Sequence, residues 1–413
     1  MKDNIDTGDR QITSAGSLAI AAPAPKDAFA IAKLRDAGAV ILGKANLSEW
    51  ANFRGTSSSS GWSGRGGQCR NPYALDRSPS GSSSGSAVAV AANLCAVALG
   101  SETDGSVVSP SSCNGIVGVK PTVGLVSRSG VIPIAFSQDT IGPMARTVTD
   151  AALLLGAIAG HDPADAQSVE RPAEDYTAHL HPRALVGARI GVPRKGFFGN
   201  NRNVDAVMNR VLAQLAALGA VLVDPADLVI PPDLNAAEIE VFFYELKAAL
   251  ATYLATRGAT LADVIAYNRA HADRELALFG QELLEQAAAK GSLAEQGYRD
   301  ARAKCIDIAR TKLLDKVMQE QRLDAFIAAT SGPAWLIDPV NGDGFTSVGC
   351  STLPAVSGYP HVTVPGGAVH GLPVGLSFFG APFTEGKLLG YAYAWEQATR
   401  HRAPPRFLPT AAV

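Results

Sequence analysis

Apolar residues recur at helical spacing in several stretches of the chain, and short apolar runs follow them. Within residues 27–43, alanine, isoleucine and leucine lie three or four positions apart, which predicts a helix. Gly38 predicts the end of that helix, and the run AVIL at 39–42 predicts a short buried strand. Residues 204–223 repeat the order of helix, glycine and strand. Units of this kind are typical of an α/β fold.

The remaining patterns predict a core and an insertion. From residue 235 to 321 the chain is rich in Ala, Leu and Glu at helical spacing, which predicts a helical cover. Apolar runs bounded by glycine and proline predict strands: ARIGVP at 188–193, DAFIAAT at 324–330, HVTVPGG at 361–367 and LPVGLSFFG at 372–380. Since no low-complexity linker separates these parts, the chain is predicted to form one continuous α/β domain with a helical insertion.

Charge and composition exclude several classes of protein. The chain has 36 Lys and Arg against 38 Asp and Glu and contains no basic run, so nucleic acid is not an expected partner. A hydrophobic content of 47% argues against disorder. The most apolar stretch, residues 86–100, is too short to cross a membrane and is predicted to be a buried core helix.

The start of the chain and its cysteines bear on compartment and cofactors. The first ten residues are polar and of mixed charge, unlike an export signal, so the sequence as written is predicted to be cytoplasmic. The 5 cysteines are widely spaced and include no CxxC pair, which predicts neither a disulfide framework nor a zinc site. We therefore expect no metal and no other cofactor.

Serine and glycine concentrate in residues 77–122, where two Ser/Gly turns flank the apolar stretch. Their glycines, at 81, 85, 100 and 105, allow backbone N–H groups to converge on one point. Converging N–H donors can form an oxyanion hole. The helix predicted to begin at Ser86 would add the partial positive charge of its N-terminus.

Three interpretations compete for the first turn, GSSSG at 81–85. It can be a flexible Gly/Ser loop. It lacks the lysine that a phosphate-binding loop carries after its second glycine. It also fits G-x-S-x-G, which would make Ser83 a nucleophile, but the residues before it are polar rather than a strand. That interpretation also needs a histidine, and the 7 histidines are scattered without a telling context.

Together, the two turns resemble the signature of a known family. The Ser/Gly turn and GSETDGSVVSP place Ser82 and Ser106 24 residues apart, as in the amidase signature family. The resemblance runs from KDNIDT at residues 2–7 to Leu155 and returns at LPAVSGYPHVTVPGG and GLPVGLSFFG. Within the family the sequence is most similar to bacterial peptide amidases, through ANFRGTSSSSGWSGRGGQCRNPY, FYELKAAL and ALFGQELL.

The resemblance implies a fold and its boundaries. We expect the amidase-signature fold, with a mixed twisted β-sheet core covered by α-helices on both sides. The signature core would span about residues 2–155, the helical insertion about 165–322 and the C-terminal core block about 323–400 of one domain, 1–413. In the family, tens of residues precede the KDN motif, so the N-terminal part of the family fold is expected to be missing, and an export signal could lie there.

The resemblance also implies a Ser-Ser-Lys triad. Ser106 would be the nucleophile, Ser82 the bridging serine after a cis peptide bond from Gly81, and Lys2 the base. Burial lowers the pKa of a lysine, so a neutral Lys2 can receive a proton relayed through Ser82. The backbone amides of Ser106 and of the preceding residues, Thr103, Asp104 and Gly105, would form the oxyanion hole. Lys44 and Lys120 are alternative lysines, in segments that the family does not use for catalysis.

The implied reaction is hydrolysis of a carboxamide through an acyl-enzyme, with the C-terminal amide of a peptide as the expected substrate and no obligatory partner protein. Weaker candidates for substrate binding are Ser83, Asp139, Phe279 and Trp335, and the aromatic residues Phe242, Phe243 and Tyr244 are further candidates for the pocket wall. Asp139 can orient the site or cap a turn.

Two departures from the family pattern define the alternatives. Where the family has G-S-I-R-x-P, this chain has Val108 in place of the arginine. That weakens the alternative of a glutaminase-type subunit of a tRNA-dependent amidotransferase and fits an uncharged amide better. Because Lys2 lies at the start of the sequence, a truncated, catalytically weak amide-binding protein is the other alternative.

Overall fold

The structure, a computed structural model, describes residues 1–412. A mixed eight-stranded sheet within these residues forms the centre of the fold, and a two-stranded hairpin lies apart from it. The strands are β1 (Trp62–Ser63), β2 (Gly67–Gln68), β3 (Val97–Glu102), β4 (Val117–Lys120), β5 (Thr140–Ala145), β6 (Arg189–Gly191), β7 (Val221–Val223), β8 (Ala325–Ala329), β9 (His361–Val369) and β10 (Leu372–Phe379). The sheet order is β3-β5-β4-β9-β10-β8-β6-β7. Strand β6 pairs in parallel with β7 and β8, and the other pairs of the sheet are antiparallel.

Helices occupy most of the chain between the strands. They are α1 (Phe29–Asp36), α2 (Ser84–Ala91), α3 (Val108–Cys113), α4 (Val148–Ile158), α5 (Arg202–Ala217), α6 (Asp233–Ala255), α7 (Leu261–Ala270), α8 (Ala272–Glu275), α9 (Glu282–Ala289), α10 (Gln296–Ile306), α11 (Lys316–Gln321), α12 (Thr352–Ser357) and α13 (Glu385–Thr399). Short 3₁₀ helices lie at Glu49–Asn52 and Tyr176–His179, and a π-helical stretch, Asp307–Asp315, joins α10 to α11. None of the helices in residues 1–412 is both long and apolar enough to cross a bilayer.

Helices cover both faces of the sheet, because successive strand residues point to opposite sides. In β8, Ala325, Ile327 and Ala329 belong to the apolar cluster that contains α4, α5 and α13. The alternate residues, Phe326 and Ala328, pack with α6 and α10 instead. The expectation of a mixed sheet between two helical layers is therefore confirmed.

Most of the predicted elements are present. The pattern at 204–223 forms α5, a left-handed turn at Gly219 with φ of +91°, and then β7. Helix α5 begins where it does because the Asn201 side chain accepts hydrogen bonds from the backbone N–H groups of Asn203 and Val204. The four apolar runs predicted as strands correspond to β6, β8, β9 and β10.

The buried strand predicted at 39–42 is wrong. Helix α1 ends near Gly38 as expected, but the following residues form no strand, and Val40 and Leu42 are 82% and 73% exposed. The chain crosses the surface here, and just beyond this run Gly43 and Ala45 form hydrogen bonds with the backbone of Met1 and Asp3. Sequence pattern alone does not distinguish an apolar run on the surface from a short core strand.

The single core helix predicted at 86–100 is wrong in its second half. Helix α2 ends at Ala91, Asn93 turns the chain with φ of +63°, and Val97 begins β3. Asparagine tolerates this left-handed conformation better than most residues, which explains the break inside an apolar run. The early start of β3 carries the chain directly into the second Ser/Gly turn.

Candidate active site

Lys2 lies on a short segment that runs along the outer edge of β3. Its backbone N–H donates to the Leu99 carbonyl at 2.9 Å, and the next residue, Asp3, donates to the Ala45 carbonyl at 3.1 Å. Since β3 is the terminal strand of the sheet, the segment uses hydrogen-bonding positions that the sheet leaves open. The backbone at Lys2 is thereby held from two sides.

The Lys2 side chain is fully buried, and its nitrogen is surrounded by oxygen atoms. Lys2 Nζ lies 2.7 Å from Ser82 Oγ, 2.9 Å from Ser101 O and 2.9 Å from Ser101 Oγ. Burial lowers the pKa of Lys2 to about 7, although the charges of Asp139 and Glu102 act in the opposite direction. Near neutral pH, much of Lys2 is therefore an uncharged amine that can accept a proton from Ser82.

Ser82 lies in the turn before α2, and the peptide bond between Gly81 and Ser82 is cis. The Ser48 N–H donates to the Ser82 carbonyl at 3.1 Å, and the Ser83 N–H donates to the Ser106 carbonyl at 3.1 Å. A side chain at position 81 would collide with the Ser48 hydroxyl, so any larger residue there would force Ser48 to move. These contacts hold the first Ser/Gly turn directly against the second.

Ser106 lies in the loop between β3 and α3. Gly105 has φ of +78°, a conformation that residues with a side chain rarely adopt. After Ser106, the N–H groups of Val107 and Val108 donate to Glu102 Oε2 at 2.7 and 3.0 Å. These two hydrogen bonds hold the end of the loop to the last residue of β3. Ser106 keeps 9% of its surface exposed and lines a cavity of about 350 Å³.

Lys2, Ser82 and Ser106 therefore lie close together, although the contacts do not form a complete chain. Within residues 1–412, no direct hydrogen bond joins the hydroxyls of Ser82 and Ser106. In sites without substrate, such contacts are often long and shorten when the substrate binds. The other two lysines considered lie elsewhere: Lys44 binds Ile5 O and Thr13, and Lys120 donates to Pro121 O at 3.1 Å.

Four consecutive residues, 103–106, line the cavity. In the part of the chain that the structure describes, no protein group accepts a hydrogen bond from the N–H of any of these residues. Asp139 holds the start of the loop, because it accepts hydrogen bonds from Thr103 Oγ1 at 2.6 Å and from the N–H of Ile134 at 2.9 Å. Free N–H donors on a fixed loop are what a developing oxyanion needs.

The cavity in front of Ser106 is lined by hydroxyl and apolar side chains together with two acidic residues, Asp104 and Glu238. Lys and Arg are absent from its lining as far as residues 1–412 are concerned. Its wall includes Ser80, Ser109, Ser331, Ser351, Ile134, Ile239, Phe242, Trp335 and Phe345. The cavity volume is within the usual range of small-molecule sites, at its lower end.

Of the weaker candidates for substrate binding, some line the cavity and others do not. Trp335 lines the cavity, and its Nε1 donates to Asp343 at 2.9 Å. Ser83 and Phe279 are not among the lining residues: the Ser83 hydroxyl donates to Ser101 O at 3.1 Å, and Phe279 packs against Trp62. These two predictions are corrected, because both side chains are occupied in packing or hydrogen bonds behind the wall.

Among the remaining predicted residues, too, only some line the cavity. Asp139 is placed behind the loop, where it orients Thr103 and does not line the main cavity. Among the aromatic residues of α6, Phe242 lines the cavity, whereas Phe243 and Tyr244 do not. The strand-turn-helix elbow that would make Ser83 a nucleophile is absent from the described residues, since no strand precedes the turn at 81–85. Asp139 and Ser83 are thus corrected from substrate contacts to supporting residues.

An acidic side chain in the cavity wall was not predicted from the sequence. Glu238 lies on α6, is only 2% exposed, and accepts a hydrogen bond from Gln138 Nε2 at 2.8 Å. The signal available in the sequence is the spacing of Asn235, Glu238, Ile239 and Phe242, which puts all four on one helix face. An acidic residue on a face that is otherwise directed inward is unusual.

Comparisons with known proteins agree with this arrangement. A sequence profile of the family described as Amidase matches residues 1–389. A protein named probable amidase from Arabidopsis thaliana is 40% identical and covers 99% of this chain and 77% of its own length. A glutamyl-tRNA(Gln) amidotransferase subunit from Moorella thermoacetica is 37% identical, over 98% of this chain and 83% of its own.

Among solved structures, the native peptide amidase from Stenotrophomonas maltophilia superimposes with a TM-score of 0.93. It is 51% identical in sequence, and the match covers 98% of this chain and 83% of that chain. The likeness therefore includes the sheet, both helical layers and the loops that carry Lys2, Ser82 and Ser106.

Proposed function

The chain belongs to the amidase signature family and is an amide-hydrolysing enzyme, and from this premise we propose that it cleaves C-terminal carboxamides of peptides to carboxylate and ammonia. The observation that carries the proposal is the contact between buried Lys2 and Ser82, beside Ser106 and a row of free N–H donors. The 51% identity to a peptide amidase of known structure supports the peptide amide as substrate.

In the proposed reaction, neutral Lys2 takes the proton of Ser82, and Ser82 takes the proton of Ser106. The Ser106 oxygen forms a bond to the carboxamide carbon, whose C=O electrons move to oxygen. When the tetrahedral intermediate collapses, the C–N bond breaks, and the proton held by Lys2 returns through Ser82 to the departing nitrogen as ammonia forms. Water then attacks the acyl-enzyme by the same route and releases the carboxylate and Ser106.

The free N–H groups of the loop 103–106 supply the stabilisation that this reaction needs. Negative charge develops on the former carbonyl oxygen, and preorganised donors stabilise it without rearrangement. Removing one such donor typically costs about 100-fold to 1,000-fold in rate. Asp139 and Glu102 contribute indirectly, since each holds one end of the loop through hydrogen bonds.

The cavity lining supports an amide substrate without a carboxylate over glutamine, which carries one. A glutaminase site holds the α-carboxylate of its substrate, which calls for a cationic partner. The lining within residues 1–412 contains no lysine or arginine, and Val108 stands where the family pattern has arginine. The similarity to a component of a tRNA-dependent amidotransferase therefore extends to the fold and the serine chemistry rather than to the substrate.

The test is ammonia release from N-acetyl-leucinamide, a leucine dipeptide amide and glutamine. We expect hydrolysis of the two peptide-type amides and no measurable hydrolysis of glutamine. Ser106→Ala and Lys2→Ala should each abolish turnover, whereas Ser83→Ala, a change in a neighbouring serine of the same turn, should leave a folded enzyme with measurable activity.

Two results would overturn the proposal. Preferential hydrolysis of glutamine would favour the glutaminase-type function instead. Binding of peptide amides with no turnover by the wild-type chain would favour the catalytically weak binding protein.

A further inference from the structure

The face of α6 that lines the cavity carries one ionisable residue. Its lining residues are Asn235, Glu238, Ile239 and Phe242, and the other three cannot ionise. Glu238 faces no cation: among the described residues, no Lys, Arg or His nitrogen lies within ion-pair distance of its carboxyl. A buried carboxyl without a cationic partner requires another explanation.

The hydrogen bonds of Glu238 leave one of its oxygens unused. Gln138 Nε2 donates to Glu238 Oε1 at 2.8 Å and also to the Thr103 carbonyl at 3.2 Å. Glu238 Oε2 has no hydrogen-bond partner within residues 1–412, and the residue is part of the cavity wall. Since one nitrogen binds both groups, Glu238 lies two hydrogen bonds from the loop that would hold the reacting carbonyl.

The surroundings of Glu238 favour its neutral form. Burial, together with the nearby carboxyl of Asp104, raises the pKa of Glu238 well above its usual range. Burial raises the pKa of Asp104 as well, against its hydrogen bonds from Ser351 and Thr352. A neutral carboxyl that accepts at Oε1 carries its proton on Oε2, so the oxygen of Glu238 that has no partner in the described protein is an O–H donor.

We propose that Glu238 donates a hydrogen bond from Oε2 to the substrate carbonyl that precedes the residue carrying the scissile carboxamide. Successive carbonyl groups of a peptide are about one Cα spacing apart, roughly 3.8 Å, which suits a donor two hydrogen bonds from the oxyanion loop. Glu238 would then make the enzyme prefer amino-acid amides whose α-amino nitrogen is acylated, as in a peptide, over simple amides that lack this acylamino group. This inference rests on the proposed function, because it names the substrate class of the same site.

The test compares two substrates in three variants. N-acetyl-leucinamide carries the preceding carbonyl, and isocaproamide has the same side chain and carboxamide but no acylamino group. Glu238→Leu removes the donor, whereas Glu238→Gln keeps a donor, its NH₂ group, at the same place. The control is Glu240→Leu on the same helix, where the carboxylate binds Lys290 at 2.6 Å and does not line the cavity.

The wild type should prefer N-acetyl-leucinamide in kcat/KM. Glu238→Leu should reduce that preference about tenfold, mostly through the acylated substrate, because it loses one buried hydrogen bond. Glu238→Gln and Glu240→Leu should keep the preference within about twofold. The change should be larger in KM than in kcat, since the bond is made to a group that does not react.

Other outcomes separate the two proposals. If the wild type hydrolyses neither amide, the proposed function fails. If Glu238→Leu slows both substrates equally, Glu238 has a structural role only, and this inference is wrong while the proposed function stands. If Glu238→Gln loses the preference as fully as Glu238→Leu, the group accepts an N–H as a carboxylate, and its assignment as a donor is overturned.

Discussion

The rate of amide hydrolysis should rise with pH along a limb centred near pH 7. In the proposed relay only neutral Lys2 acts as the base, and burial lowers the pKa of Lys2 to about 7. For an uncharged substrate such as N-acetyl-leucinamide, kcat/KM reports the ionisation of the free enzyme. It should fall about tenfold for each pH unit below the limb and level off above it.

The size of the effect follows from the burial of Lys2. A fall in pKa from 10.5 to about 7 corresponds to about 5 kcal/mol of lost preference for the ammonium form. At the ordinary pKa, about one lysine in 3,000 would be neutral at pH 7, against about half in this site. The buried position therefore contributes about a thousandfold to the population of active base.

A second group must be separated from Lys2 in this experiment. Burial raises the pKa of Asp139 to about 6, so its ionisation would also produce a limb that rises with pH. Asp139 and Glu102 both raise the pKa of Lys2 through their charge. Asp139→Asn and Glu102→Gln should therefore each move the limb to lower pH, by about one unit.

The assay is initial-rate ammonia release from about pH 5 to about pH 10 at constant ionic strength, for the wild type and the two variants. A limb near pH 10 would show that Lys2 keeps its ordinary pKa, and the proton-relay mechanism would be refuted. A limb that disappears in Asp139→Asn and stays in place in Glu102→Gln would belong to Asp139 instead of Lys2.

Three further outcomes test the site. Lys2→Met should be inactive and more stable than the wild type at pH 7, because the wild type must lose the Lys2 proton when it folds. This advantage in the free energy of unfolding should shrink by about 1.4 kcal/mol for each pH unit from 7 toward 10.5, where Lys2 is already neutral in the unfolded chain; denaturant midpoints across pH measure it. Gly81→Ala should lower the melting temperature and abolish activity, because its Cβ collides with Ser48; thermal unfolding with a parallel rate assay decides. Thr103→Val, which loses the hydrogen bond to Asp139, should lower kcat about tenfold with little change in KM in steady-state assays.

The identity of the candidate site could be inferred from the sequence because its motifs are local. Ser82 and Ser106 each lie in a short Ser/Gly turn, and Lys2 lies in a motif of its own. The two serine turns each require a backbone conformation that glycine permits, so residue order alone carries that part of the information. What the sequence does not contain is the distance between the motifs, and the 2.7 Å contact of Lys2 with Ser82 appears only in the folded chain.

The errors have a common physical cause, since burial depends on tertiary packing. The run at 39–42 has the composition of a core strand, but within residues 1–412 it pairs with no strand, and Val40 and Leu42 lie on the surface. The sequence places Phe279 in the substrate pocket, yet the ring packs against Trp62 and Arg54. Pattern and composition limit the structures that a segment can form, whereas tertiary contacts with the rest of the chain determine which structure it forms.

Glu238 was missed for the same reason. Its hydrogen-bond partner, Gln138, lies 100 residues earlier in the chain, and neither residue belongs to a recognisable motif. The contact forms because α6 packs against the segment before β5, where Ser137 and Gln138 donate hydrogen bonds to Glu245 and Glu238. It brings an acidic residue to a wall made mainly of serine, glycine and apolar residues. In our proposals, substrate selectivity is therefore assigned to the helical part of the chain, whereas bond breaking is assigned to residues beside β3.

This separation explains how one chemical site can serve different substrates. The groups that would break the amide bond are held by backbone hydrogen bonds. Lys2 N–H donates to Leu99 O of β3 at 2.9 Å, and Ser83 N–H donates to Ser106 O at 3.1 Å. The groups that would choose the substrate lie on α6 and on the loop around Trp335, where a substitution alters the cavity without moving the sheet. Changes at Glu238 should therefore alter which amide is cleaved, whereas changes at Ser82 should remove cleavage itself.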